Sequence, residues 1–183
     1  MSYTDLRTLL AHELTKEEHE DARRLIRELR AARKRGWLAK SELLAICRWK
    51  SSRAIRLCEE NSPSKIRRLS TQAFATRSER IKFEALTTLR GVGAPMASSI
   101  LMLTNPQRYG VIDIRVWQLL FELQSVRQKP RGKGFNFKNW YQYLIKLRFH
   151  AKELKVPVRC IERTLFLYHK KIQRGPLYAR WPA

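Results

Sequence analysis

The stretch ALTTLRGVGAPMASSILMLTNPQRYGVIDIRVWQLLF, Ala85 to Phe121, decides how the chain is read. Leu86 and Leu89 end one helical pattern, Gly91-Val92-Gly93 interrupts it, and Pro95 leads a second apolar helix from Met96 to Leu103. Glycines at 91 and 93 can take the positive φ angles that a helix stop and reversal need. Proline suits the first turn of a helix, where its missing N–H is no loss. The spacing therefore predicts a helical hairpin over about 78–104. Its turn would leave backbone amides at a helix N-terminus, a natural anion site. Arg90, Gly91, Val92, Gly93, Ala94 and Met96 are the candidate contact residues. Twenty residues after Gly93 comes Asp113, the only acid between Glu84 and Glu122, set among Val111, Ile112, Ile114, Val116 and Trp117.

Charge says what the anion is. The 183 residues carry a formal net charge of +22, which points to a polyanionic partner. Residues 1–60 hold 14 Lys/Arg against 10 Asp/Glu, and residues 61–183 hold 24 against 6, so the basic excess lies with the hairpin. Charge alone does not choose between DNA and RNA. A hydrophobic content of 44% argues against disorder, and the length fits one compact domain or two small lobes. No apolar run approaches the roughly 18 to 20 residues of a membrane span, and the N-terminus lacks a signal-peptide layout, so the expected location is cytoplasmic, with the nucleoid. Cys47, Cys58 and Cys160 are too few and too scattered for a disulfide framework, and the four histidines have no metal spacing. No cofactor or metal is expected.

Around the hairpin the chain resembles the helix-hairpin-helix DNA glycosylases, the superfamily that includes endonuclease III and the adenine, oxoguanine and 3-methyladenine glycosylases. The shared features are the L-x-x-L-x-G-V-G turn of Leu86 to Gly93, the small Ala97 four residues on, a short loop, and the apolar-apolar-Asp step ending at Asp113. The resemblance implies an all-α, two-lobed fold with an active-site cleft between the lobes. Residues 1–35 plus 124–183 would form a discontinuous lobe, and residues 36–123 the central one. It also implies that the hairpin amides hold a phosphate of double-stranded DNA beside the target nucleotide, and that Asp113 supports cleavage of the N-glycosidic bond. Some relatives carry a four-cysteine iron-sulfur cluster after the last helix. Here the tail RGPLYARWPA has no cysteine. Bifunctional relatives carry a Schiff-base lysine two residues after the second hairpin glycine. Pro95 occupies that place, which implies a monofunctional hydrolase that leaves an abasic site. Lys82 or another lysine could substitute, but the sequence nominates none.

Read in order, the rest of the chain is helical. Leu6, Leu9, Leu10 and Leu14 share one side of a short N-terminal helix or docking arm. Thr15 reads as the N-cap of a helix with Glu17, Glu18 and Glu20 in its first turn, ending at Gly36. Helices are predicted over about 39–49, 52–60, from behind Ser62 or Ser64, 77–89, 114–123, 139–154 and 158–172, and no alternating strand pattern occurs. Residues 124–136 read as a mobile basic loop. Gly175-Pro176 starts a short tail.

A flipped base needs aromatic walls. Trp37, Trp49, Tyr109, Trp117 and Trp140 are candidates, with Trp49, inside the basic cluster Arg48 to Arg53, and Tyr109 preferred for the base pocket. Core packing is the competing reading for each. Arg115 could bind phosphate or hold the Asp113 carboxylate, and the competing reading of Asp113 is an N-cap for the following helix, a role that can coexist with catalysis. Function then divides between a DNA glycosylase acting on a damaged or modified base, for repair or for defence against foreign DNA, and a non-catalytic helix-hairpin-helix DNA-binding protein. A basic RNA-binding protein is a third possibility. No obligate protein partner is evident.

Overall fold

The computed structural model describes residues 3–129 and 131–177. The start of the N-terminal arm, Pro130 in the basic loop and the tail beyond Leu177 lie outside the described residues. The helices are α1 (Leu6–Glu13), α2 (Glu20–Glu28), α3 (Arg30–Arg35), α4 (Lys40–Lys50), α5 (Ile55–Glu59), α6 (Pro63–Ala75), α7 (Glu79–Thr87), α8 (Ala94–Thr104), α9 (Ile114–Glu122), α10 (Phe137–Glu153) and α11 (Val158–Ile172), with a 3-10 turn at Ser52–Ala54. The fold is all-α, with no strand among the described residues. No helix among them is long and apolar enough to cross a membrane.

Local chemistry explains where the helices start. Asp5, Ser62 and Ser78 each accept a backbone N–H from the first turn of α1, α6 and α7, which relieves donors that the helix itself cannot pair. Pro63 follows Ser62 at the first position of α6. Between α7 and α8 lies the glycine turn, so the hairpin is present as two helices joined by Thr88 to Gly93.

The centre of the fold is α8. Every residue from Met96 to Thr104 is buried, and a helix apolar on all sides belongs in the interior. It contacts α2, α3, α4, α7 and α10. One continuous apolar cluster runs from Leu6 to Tyr168 and draws on residues from each of the predicted lobe segments. Phe83 stacks on Trp140 at 5.3 Å between α7 and α10. Trp117 and Trp140 are wholly buried, so neither forms a pocket wall.

The helix expected from Thr15 to Gly36 divides at Leu29 into α2 and α3. Thr15 is not an N-cap: α2 begins at Glu20, capped by the His19 side chain. Residues 14–19 are instead tied to α11, where Thr15 N–H donates to Thr164 Oγ1 (3.0 Å) and the Glu18 carboxylate receives Arg159 Nε (2.6 Å). Tertiary bonds to a distant helix override the local capping signal. The basic loop is likewise anchored. Trp117 Nε1 donates to Gln128 O (3.1 Å), and Phe135 packs on the Trp117 ring at 5.1 Å.

Candidate active site

Asp113 stands at the N-cap of α9, and its Oδ1 accepts the Val116 N–H at 3.1 Å. The extended segment before it is clamped by three helices. From α11, Glu162 Oε2 accepts the Val111 N–H (3.2 Å). From α10, the Tyr143 hydroxyl donates to Val111 O (2.8 Å). From α8, Ser98 Oγ accepts the Ile112 N–H (3.1 Å). Gly110 allows this approach, because a Cβ there would lie 2.6 Å from Leu147 Cδ1 and 2.7 Å from Glu162 Cβ. The carboxylate is thus fixed before any partner arrives.

Asp113 lines a cavity of about 350 Å³, within the range of small-ligand sites. Trp49 and Lys50 approach from the end of α4, Val111 from the clamped segment, and Arg159, Glu162, Arg163 and Phe166 from α11. His19 and Ala22 of α2 complete the wall. Lys50 Nζ lies 3.6 Å from Asp113 Oδ2, and both side chains are largely shielded from solvent. Below them, Arg159 bonds both Glu18 and Glu162. Burial pushes the Glu162 carboxyl up; the Arg159 guanidinium opposes this and the Asp113 charge adds to it, and the net shift is upward. Burial, with the Glu162 and Asp113 charges, also raises the Tyr143 phenol well above its ordinary value, so it remains a donor to Val111.

The preferred aromatics separate. Trp49 faces the cavity. Tyr109 does not: it is buried beside α7 and α10, its hydroxyl on Glu79 at 3.1 Å and Arg148 over its ring at 5.1 Å. Trp37 lies under Arg35 and Arg67. Arg115 turns away from Asp113 and bonds Gln173. Lys82 closes the end of α6 through the carbonyls of Ala73 and Thr76, away from this cavity.

At the hairpin, Gly91 has φ 78°, whereas Gly93, the N-cap of α8, is extended at φ −86°. Only the first glycine uses the positive φ open to both. The N–H groups of Gly93, Ala94 and Met96 have no recorded acceptor among the described residues, as expected for a first helical turn. Arg90 pairs with Glu60. Buried Asn61 holds the turn, donating to Arg90 O (3.0 Å) and accepting the Arg90 N–H (2.9 Å).

Sequence reasoning placed Lys50 in the basic cluster around Trp49 but not beside Asp113, and missed Asn61, Arg159 and Glu162. The last two had a signal, since they are charged residues on the buried, Ile161-Leu165 face of α11. Asn61 reads along the chain only as a helix stop. No group of three or more metal-ligating side chains is assembled among the described residues. No family model, curated protein or solved structure matches the chain.

Proposed function

We propose that this protein is a DNA glycosylase that hydrolyses the N-glycosidic bond of a flipped-out damaged or modified base. The helical hairpin would seat the DNA backbone, and the Asp113 cavity would be the cleft of a two-lobed glycosylase-like fold. The observation that carries the reading is the tie between the two parts. Ser98 bonds the segment leading to Asp113 and donates to Pro95 O at 2.9 Å. Only four residues of α8, a rise of about 6 Å, separate Ser98 from the unpaired amides at Ala94. The helix start that would hold a phosphate and the segment that carries Asp113 are therefore both tied to α8.

Departure of the base leaves positive charge on the sugar. A fixed carboxylate beside C1′ stabilises that charge without reorganising, and can orient the attacking water. Trp49 supplies a face for the base. A monofunctional enzyme leaves an abasic site. The non-catalytic module accounts for the Asp113 cap of α9 but not for the cavity that its second carboxylate oxygen faces beside Trp49 and Lys50.

The test is incubation of wild type and Asp113→Asn with cellular, alkylated and phage-modified DNA, scoring abasic sites and weighing the released bases. Wild type should release a base, and Asp113→Asn should lose release by at least about a hundredfold while still binding DNA. Tight binding without release from any DNA would favour the non-catalytic module.

Lys50 favours a second outcome. Once its ammonium has passed a proton to Asp113, the amine attacks C1′ and displaces the base, which leaves with a proton; breaking the C1′–O4′ bond of the resulting aminal opens the sugar to an imine, and removal of a C2′ proton then expels the 3′ phosphate and nicks the strand. Borohydride would then trap the wild type on DNA, while Lys50→Gln would not be trapped. Absence of trapping leaves water as the nucleophile.

A further inference from the structure

A second cavity, of about 330 Å³, lies between the end of α6, the end of α8 and α3, and shares no lining residue with the Asp113 cavity. It is at the opposite end of α8 from the hairpin, about 15 Å along the helix axis. Its charged lining residues are Arg33, Arg77, Lys82 and Arg108, with no carboxylate among them. Phe74 and Leu101 supply apolar wall.

The cations are poorly compensated. Arg33 and Arg77 make no ion pair among the described residues. Arg108 reaches Glu79 only at 3.6 Å, and Glu79 is already engaged by Arg148 at 2.6 Å and by the Tyr109 hydroxyl. Lys82 is 8% exposed, and its recorded acceptors are two backbone carbonyls. Burial lowers its pKa; Glu79 opposes this, and Arg108 and Arg148 push the same way as burial. A buried ammonium facing further cations is costly unless an anion enters.

We propose that this cavity binds a terminal phosphate monoester. A monoester brings a charge of about −1.5 to −2 and three acceptor oxygens, which matches the poorly compensated cations better than the single charge of a backbone diester. A phosphate tethered to nucleotides on both sides could not reach down to buried Lys82, whereas a terminus can. The ligand is either a free nucleotide or the 5′-phosphorylated end of a DNA strand. The site stands independently of the Asp113 reading.

The experiment uses the full chain at about 150 mM salt, where charges more than about 8 Å apart are screened. Inorganic phosphate and AMP are titrated by calorimetry, followed by short duplexes with 5′-phosphate or 5′-hydroxyl ends. Wild type should bind phosphate or AMP saturably at one site. Arg33→Gln/Arg77→Gln, which removes no ion pair, should weaken binding about tenfold or more. Lys138→Gln/Lys152→Gln, the same charge loss elsewhere, should leave it unchanged. A preference for the 5′-phosphorylated duplex, lost in the Arg33/Arg77 variant, assigns the site to strand ends. AMP binding without that preference assigns it to free nucleotide. Unsaturable binding, or equal weakening in both double variants, overturns the proposal.

Discussion

Gly91 and Gly93 sit two residues apart and do different work. At Gly91 a Cβ would lie 2.8 Å from Cys58 Sγ, 3.0 Å from Leu57 Cβ and 3.1 Å from Ala54 O, on a backbone with φ 78°. Gly91→Ala should therefore destabilise the fold by about 1–3 kcal/mol in denaturant titration. At Gly93 the nearest atom to a Cβ is Pro95 Cδ at 3.9 Å, and φ is ordinary. Gly93→Leu should leave stability within about 1 kcal/mol of wild type and, if the hairpin seats DNA as proposed, weaken duplex binding across sequences by blocking the approach of a phosphate. Unchanged binding would remove the hairpin from the DNA interface. Asp113 shows the same division of labour within one residue. Its Oδ1 caps α9, while its Oδ2 faces Lys50.

Among the elements, the segment before α2 shows how a tertiary contact sets local structure. Burial alone would raise the Glu18 carboxyl, but the hydrogen bonds and charge of Arg159 outweigh it and the net shift is downward. A carboxyl lowered in the folded state contributes stability that is fully present above its unfolded pKa, about 4.3. That contribution is lost as pH falls through the lower folded value. Thermal melts from neutral pH into this acid range should show wild type falling more steeply than Glu18→Gln, with the two converging at the lowest pH. Parallel curves would mean that the Glu18–Arg159 contact adds no net stability. The helix α8 needs no such help, because its sequence is apolar all round and its place in the interior follows directly.

For the whole molecule, charge is the governing quantity. With +22 net charge concentrated beyond residue 60, binding to duplex DNA should release many counterions. If six to ten phosphates are contacted, affinity should fall about 10³–10⁵-fold between about 50 and 200 mM salt. Filter binding over that range measures the slope. A shallow slope, or preference for structured RNA at equal salt, would argue against a DNA-seating surface. Asp113→Asn should leave the slope unchanged, since Asp113 contacts no phosphate in this reading.

The sequence by itself determined the all-α class, most of the helices, the glycine turn and the apolar character of α8, but not the course of residues 14–36. These follow from periodicity, Gly and Pro chemistry and capping, all of which act within a few residues. It also singled out Trp49 and Asp113, but not that they share a cavity. Only the tertiary structure brought Lys50 of α4, Asp113 before α9 and Glu162 of α11 together, and sent Tyr109 to Glu79 instead. Those placements depend on how helices far apart in the chain pack around α8. A single buried charge such as Arg159 or Glu162 looks, along the chain, like any solvated residue until its partner is found.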